Sequence, residues 1–428
     1  MLFNQTLTYI SLFSGAGVGC YGLLEEGFEC VATNEILEKR LNIQRINRKC
    51  KLDESYISGD IKKPETKEKI LKQIEFYSKK FGNDRVDLVV ATPPCQGMSV
   101  ANHKKKNDEI KRNSLVVESV DLIKQIKPRF FILENVPSFY KTGCIDKNDN
   151  LLEIGSMIEQ NLSGDYMLYD EVINFKNFGA NSSRTRTLVI GVCKEFKDFI
   201  SALEFFPDFK QEKTLKEVIG SLKPLAWGEY DSTDFYHSFR TYPKHMQEWI
   251  KDLKEGQSAF ENVQDAISDL AYLCSNEGAF ESDYLNPIQS SYQALMRKDS
   301  PKLYNHQATN HSQAALEKLK LINKEQGKEC LPKNLHGKQQ FKSTWGRLNW
   351  NKISPTIDTR FDTPSNGTNS HPELHRSITP REAARIQSFR DNYIFYGNKT
   401  SVCKQIGNAV PPLLALALGK AILKSLRK

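Results

Sequence analysis

Five short apolar runs in the first half of this chain constrain its fold more than any other feature. They are Thr8–Phe13 (TYISLF), Cys30–Asn34 (CVATN), Val86–Ala91 (VDLVVA), Phe130–Leu133 (FFIL) and Arg186–Val192 (RTLVIGV). A strand that stays apolar without alternating is covered on both faces, as parallel strands are when helices flank the sheet. Helical spacing appears between the runs. Leu115, Val116, Val120, Leu122, Ile123 and Ile126 recur every three or four positions, and Lys127-Pro128 ends that helix. A short amphipathic helix ends near Gly27, and Tyr56–Ser58 adds a short strand. Strands alternating with helices predict βαβ units, an α/β class and a mostly parallel sheet.

The pattern does not hold throughout. From about 197 to 372 the chain is richer in polar, aromatic and Lys residues, and periodicity is weak. We read this stretch as a second, smaller, irregular domain. Residues 1–196 then form the first domain, completed by 373–428. Thr379-Pro380-Arg381-Glu382 is a capping box with proline at the first helical position, opening a helix through Ser388. Pro411-Pro412 starts a final apolar helix, Leu413–Leu426, expected to return beside the first strand.

Charge and cysteine usage narrow the classes. Lys plus Arg number 60 against 52 acidic residues, a net +8 that suits a polyanionic partner without requiring one. The nine cysteines are scattered, with no CxxC pair and no zinc-ligand spacing, so neither a disulfide framework nor a metal is expected. No run approaches the ~18 apolar residues that cross a bilayer, and the N-terminus lacks the basic flank of a signal peptide. A cytoplasmic, nucleoid-associated location without membrane partners is the expectation.

Gly15, Gly17 and Gly19 follow the first strand and open a helix, where glycine permits a sharp turn and close ligand approach. Glu35 ends the second strand about twenty residues on, the position from which a carboxylate reaches ribose hydroxyls. The G-x-G-x-G spacing differs from the dinucleotide fingerprint, which fits a nucleoside cofactor lacking a pyrophosphate. The same glycines also serve a bare βα turn. Asp60, after the short strand, is a candidate for an adenine amino group and equally a solvated turn residue.

Thr92-Pro93-Pro94-Cys95-Gln96-Gly97 follows the third run directly. Two prolines stiffen the exit and present Cys95 at the carboxyl edge of the sheet, where a cysteine is more often reactive than structural. Glu134-Asn135-Val136-Pro137 ends the next strand and places a carboxylate at the same edge.

The ordered series FSGAGVG, TPPCQGMS, ENV, SRTR, TPREAARIQSF and QIGNAVPPLL resembles the motif series of the DNA (cytosine-5)-methyltransferases of the bacterial and phage restriction-modification type. The resemblance spans Tyr9–Val192 and Trp345–Leu426. It implies a Rossmann-like class I fold that uses S-adenosylmethionine. It also implies a catalytic set of Cys95 as nucleophile toward cytosine C6, Glu134 on N3 of the base, Asn135 orienting the site, and Arg184 and Arg186 near the base O2. The implied cofactor residues are Phe13, stacked on adenine, Ser14, Gly15, Gly17, Gly19, Glu35, Asp60, Ile61, Pro93 and Asn408. One position departs: Ser182 stands where the family's Gln-x-Arg-x-Arg motif has glutamine.

A cytosine inside a duplex cannot present C6 to a thiol, so the base must be flipped out. In the family the stretch after the cysteine closes over DNA. Gln96, Ser99, Lys104, Lys105 and Arg112 are the implied DNA contacts, with a solvated loop as the plain alternative. Double-stranded DNA is the expected partner, read by the 197–372 domain. A cognate restriction endonuclease acting on the same site and a monomeric state are further expectations. Three other readings compete. An RNA cytosine-5 methyltransferase is disfavoured by the large insert. A catalytically silent DNA-binding regulator is disfavoured by the intact Cys95, Glu134, Arg184 and Arg186. A nicotinamide dehydrogenase is disfavoured by the glycine spacing and PPCQ.

Overall fold

The computed structural model describes residues 6–82, 84–94, 113–196, 206, 213–222, 281–282, 287–309, 311–323, 327–336 and 343–426. They form two compact units: Met1–Lys213 with Ile353–Ile357 and Asn408–Lys428, and Thr214–Lys352 with Asp358–Gly407.

The first unit is built on a seven-stranded sheet. Strands β1 (Thr8–Leu12), β2 (Glu29–Glu35), β3 (Tyr56–Ser58), β4 (Leu88–Ala91) and β5 (Phe130–Asn135) are parallel. Beyond a small hairpin of β6 (Gly143–Ile145) and β7 (Leu151–Glu153) come β8 (Tyr166–Asn174) and β9 (Thr185–Cys193). The order is β3-β2-β1-β4-β5-β9-β8, with β9 antiparallel to both neighbours. The mostly parallel α/β sheet expected from the apolar runs is therefore present.

Alternate residues of each central strand enter opposite cores, as the pleat requires. Ile10, Val89, Phe131 and Leu133 join Ile70 and Tyr77 of α3 (Pro64–Phe81), Val120 and Ile123 of α4 (Leu115–Ile126), and Met157 and Ile158 of α5 (Ile154–Leu162). Tyr9, Leu88, Phe130 and Ile132 join Leu23 and Leu414, Leu418 and Ile422 on the other face. Both faces are covered, which is why the strands read as unbroken apolar runs. The helix α1 (Tyr21–Glu25) meets the final helix (Pro412–Leu426) at Gly22, where a Cβ would stand 2.0 Å from the Pro412 carbonyl oxygen.

The chain order reverses between β1 and β4, each continuing outward to its own side of the sheet. At such a switch point the carboxyl ends of neighbouring strands leave a crevice. Phe13, Glu35, Thr92–Pro94 and Glu134–Asn135 all sit at this edge.

Boundaries near 196 and 373 do not describe the compact units. Only Ile353–Ile357 and Asn408–Lys428 complete the first unit, and the capped helix Pro380–Ile386 belongs to the second. The reason is its arginines. Arg385 donates to both carboxylate oxygens of Asp391 (3.0 and 2.6 Å) and to the Val218 carbonyl (3.3 Å), and Arg381 donates to the carbonyls of Tyr304, Arg390 and Tyr393. The capping box is present, but the helix stops at Ile386, two residues before the expected end, because Ser388 adopts a left-handed φ of 67°.

Against the expectation that no stretch qualifies, Lys399–Leu426 is long and apolar enough to cross a membrane by length and composition. It is two helices, Lys399–Gly407 and Pro412–Leu426, and 67% of its most apolar part is buried inside the protein.

Candidate active site

Glu134 and Asn135 close β5, and the antiparallel register sets Glu134 opposite Leu188 and Asn135 opposite Thr187. That pairing brings Arg186 to Glu134, its Nε 3.0 Å from carboxylate Oε1. Both side chains are nearly buried. Burial pushes the Glu134 pKa upward and outweighs the pull of Arg186 and Arg184 in the other direction. One guanidinium contact does not replace the water the carboxylate has lost, so the group is disposed to hold a proton.

Asn135 works on the neighbouring strand exit. Its Nδ2 donates to the Pro93 carbonyl (2.9 Å), and its Oδ1 accepts from Val136 N–H (2.9 Å). Thr92 Oγ1 donates to the Phe13 carbonyl (3.1 Å). The stretch before Cys95 is thereby fastened to both β5 and β1. Cys95 itself, with Gln96, Ser99, Lys104, Lys105 and Arg112, lies outside the described residues.

Arg184 is buried, and its Nη1 donates to the Ile357 carbonyl (3.4 Å). The segment carrying Ile357 is held by backbone pairing: Ser182 bridges Ser354, Ser183 N–H donates to the Ser354 carbonyl (3.1 Å), and Ser354 N–H donates to Asn181 Oδ1 (3.3 Å). The position that departs from the family motif is thus fully buried. Ser182 Oγ accepts from the Arg184 backbone N–H (3.4 Å).

At the β1 end, Phe13 is half-buried with a left-handed φ of 54°, a strained setting for a side-chain-bearing residue. Gly15 and Gly17 also take positive φ, 54° and 85°, and Gly17 precedes the turn Val18–Cys20 that contains Gly19. Glu35 is buried and accepts from Gly15 N–H (2.9 Å) and Leu37 N–H (3.2 Å), with Arg40 at 3.2 Å. Ser14 Oγ donates to the Asn34 carbonyl (3.0 Å).

Three residues of this site were not singled out by sequence. Gln44 donates to Ser14 Oγ (2.8 Å) and the Gly15 carbonyl (2.7 Å) and accepts from Thr33 Oγ1 (2.7 Å). Lys49 Nζ reaches Thr33 Oγ1 (3.1 Å), and Asn34 Nδ2 donates to the carbonyls of Ile57 and Gly59. Together they lock the glycine-rich turn to β2 and β3. A buried Gln and Lys leave no periodic trace in a sequence. The usable signal was polar residues where a flanking helix and strand should be apolar.

The remaining candidates divide. Asp60 is partly exposed beyond β3 and accepts from Lys62 N–H (3.0 Å). Ile61 is buried in the core, so its side chain packs rather than facing a ligand. Pro93 is buried with its carbonyl taken by Asn135. Asn408 is exposed, two residues before Val410, whose Cβ lies 3.3 Å from where a Gly19 Cβ would be. A nucleoside with an attached amino acid fits this edge. Nothing lies within 4 Å of a Cβ built on Gly15, and the Glu35 carboxylate that accepts from Gly15 N–H borders that open space.

Residues 7–424 match the family of C-5 cytosine-specific DNA methylases. The type II methyltransferase M.DdeI of Desulfomicrobium norvegicum is 30% identical over 357 residues, covering 79% of this chain and 72% of that protein. The type II methyltransferase M1.HphI of Haemophilus parahaemolyticus is 25% identical over 425 residues, covering 99% and 88%. Among solved structures, an E. coli prophage protein described as a DNA modification methyltransferase superposes with a TM-score of 0.67 at 22% identity, covering 99% of this chain and all of that one, a likeness of fold.

The chain belongs to the C-5 cytosine-specific DNA methylases. It is a DNA (cytosine-5)-methyltransferase of the class I fold, dependent on S-adenosylmethionine, and DNA is its substrate.

Proposed function

We propose that this enzyme methylates a cytosine flipped out of duplex DNA through a covalent bond between Cys95 Sγ and C6 of the base. The observation that carries this reading is Glu134: a buried carboxyl with a raised pKa, beside Arg186, on the strand whose next residue fastens the Cys95 loop. The Cys95 thiolate adds to C6 and the C5–C6 double-bond electrons shift toward the ring nitrogen, where Glu134 delivers its proton to N3. C5 becomes nucleophilic. Bound S-adenosylmethionine supplies the electrophilic methyl group. Return of the N3 proton to Glu134, loss of the C5 proton to a base such as water, and elimination of the thiolate as the C5–C6 double bond re-forms restore the ring and the enzyme. Arg186 keeps Glu134 aimed at the base, and Arg184, anchored on Ile357, borders the base O2. Phe13, Ser14, Gly15 and Glu35 form the nucleoside end of the cofactor site, with Asp60 and Asn408 at its margins. Gln96, Ser99, Lys104, Lys105 and Arg112 contact the DNA.

The second unit contains much of 197–372 and reads the target sequence. The type II methyltransferases among its relatives support a role in restriction-modification, alongside an endonuclease of the same specificity. One flipped base needs one active site, so a cytoplasmic monomer at the nucleoid is the working state.

Duplex DNA carrying 5-fluorocytosine, mixed with enzyme and S-adenosylmethionine, tests the chemistry. Fluorine at C5 blocks the elimination, so a denaturing gel should show a shifted band that vanishes in Cys95→Ser. A band that persists in Cys95→Ser removes Cys95 as nucleophile. A band only with fluorocytosine RNA moves the substrate to RNA.

A further inference from the structure

Gln44 lies on the helix α2 (Glu38–Ile46), packed against the glycine-rich turn, with 1% of its surface exposed. A buried amide is tolerated only where its polar atoms are met, and here the neighbours fix even which way round the amide stands. Lys49 Nζ can only donate, and it meets Thr33 Oγ1 at 3.1 Å. The Thr33 hydroxyl proton is then directed to Gln44 Oε1, at 2.7 Å. That leaves the Gln44 amide nitrogen facing the turn, where it donates to Ser14 Oγ (2.8 Å) and to the Gly15 carbonyl (2.7 Å). Ser14 Oγ passes its own proton to the Asn34 carbonyl (3.0 Å). Every bond in the series runs one way, from Lys49 to the turn.

The geometry of the turn shows what this series holds. Gly17 N–H donates to the Ser14 carbonyl (2.8 Å), closing a turn in which Gly15 takes a φ of 54°. The Glu35 carboxylate grips Gly15 by its N–H (2.9 Å), and Gln44 grips the same residue by its carbonyl. Glycine moves readily between left- and right-handed conformations, so with either grip released no side chain keeps Gly15 in place. Arg40, one helical turn before Gln44, donates to Glu35 (3.2 Å). Residues four apart share a helix face, so one face of α2 sets both the Glu35 carboxylate and the Gly15 peptide. A Cβ on Gly17 would stand 2.7 Å from Gln44 Cγ, which leaves no room for a side chain between helix and turn.

We propose that Gln44 is a positioning residue for the cofactor. By holding the Ser14–Gly15 peptide it keeps Gly15 and Glu35 in the arrangement that receives the nucleoside end of S-adenosylmethionine, without touching the cofactor itself. The inference rests on the placing of that nucleoside at Phe13, Ser14, Gly15 and Glu35.

The test is calorimetric titration of the full chain with S-adenosylhomocysteine in the absence of DNA, alongside steady-state methylation of a long unmethylated genomic DNA and thermal unfolding. Gln44→Met keeps the length of the side chain and removes its two donors. Its dissociation constant, and the KM for S-adenosylmethionine, should rise roughly tenfold, while kcat at saturating cofactor stays within about twofold of wild type. Gln73→Met is the control. Gln73 is a buried glutamine of α3 that donates to Ser55 Oγ (3.0 Å) and not to the glycine-rich turn, so its loss should lower the unfolding midpoint and leave cofactor binding in place. Glu35→Gln tests the premise and should weaken binding. An unchanged dissociation constant in Gln44→Met while Glu35→Gln loses binding, or an equal rise in Gln73→Met, overturns the role of Gln44 alone. Wild-type binding in Glu35→Gln overturns the placing of the cofactor and this inference with it. If Gln44→Met does not fold, Thr33→Val carries the test. Gln44 Oε1 then loses its donor, the dissociation constant should rise about threefold, and an unchanged value overturns the proposal.

Discussion

Two Arg–Glu pairs, one mostly and one fully buried, sit in the two units of this protein, and their carboxylates are pushed in opposite directions. Glu134 at the end of β5 has a raised pKa despite Arg186 at 3.0 Å. Glu382 in the second unit is still more deeply enclosed, yet its carboxyl is held well below the usual carboxylate range. The difference is the number of donors. Arg376 grips Glu382 with two nitrogens, each at 2.8 Å, and Thr379 N–H adds a third bond at 2.7 Å. Among the described residues Glu134 has one guanidinium nitrogen, and desolvation prevails. A fully bonded carboxylate is a structural anion. An underbonded one is disposed to hold a proton, which suits the role on cytosine N3 proposed for Glu134.

If the distinction is right, removing each carboxylate's function should fail differently. Glu134→Gln should reduce turnover by roughly 100- to 10,000-fold while leaving the thermal unfolding midpoint and cofactor affinity close to wild type. Single-turnover methylation and a melting curve decide it, and full activity would take Glu134 out of the mechanism. Arg376→Ala should do the reverse in kind, destabilising the protein by about 3–5 kcal/mol because it strands a buried carboxylate. Denaturant titration measures this, and a loss under about 1 kcal/mol would mean the pair is not structural.

The pH dependence sharpens the contrast. Glu382 is lowered, so its contribution to stability is present above its ordinary value of 4.5 and is lost as pH falls below it. Glu134 is raised, so its contribution is present below 4.5 and is lost as pH rises through its elevated value. Stability measured against pH should therefore fall less steeply below 4.5 in Glu382→Gln than in wild type, whereas Glu134→Gln should leave that acid limb as steep or steeper. Equal acid limbs in Glu382→Gln and wild type would contradict the assignment. The smallest effect is expected at Ser182. Its side chain contributes one long bond to the Arg184 backbone (3.4 Å), while the backbone pairing with Ser354 does the holding. Ser182→Ala should cost about 1 kcal/mol or less and leave activity near wild type. A large loss of activity would show that the hydroxyl, and not the bridge, positions Arg184.

The first unit was largely legible because its physics is local and repetitive. Strands covered on both faces must be apolar throughout, so the polar residues that end them at the crevice, Glu35, Glu134 and Thr92, stand out by position alone. The edge strand β8 escaped notice because its residues are mostly exposed or half-buried. The second unit was opaque for the opposite reason. Its largest fully buried side chains are Arg376, Arg381 and Arg385, which sequence reasoning assigns to a surface. Their burial is offset by carbonyls and carboxylates from remote segments, such as Val218 and Tyr304, and no periodicity announces such partners.

By itself the sequence determined the α/β class, the glycine turn and the place of Glu35, the strand ends at Thr92–Pro94 and Glu134, and the capped helix at Thr379. These follow from side-chain type and spacing along one stretch of chain. Tertiary structure alone decided that Gln44 locks the glycine turn, that Asn135 fastens the Pro93 exit, that Ile357 anchors Arg184, and that the helix after Thr379 belongs to the second unit. Each of those depends on hydrogen bonds between residues tens to hundreds of positions apart. Such bonds are fixed by the shape of the folded chain, because only folding brings a buried donor to the acceptor that makes its burial tolerable.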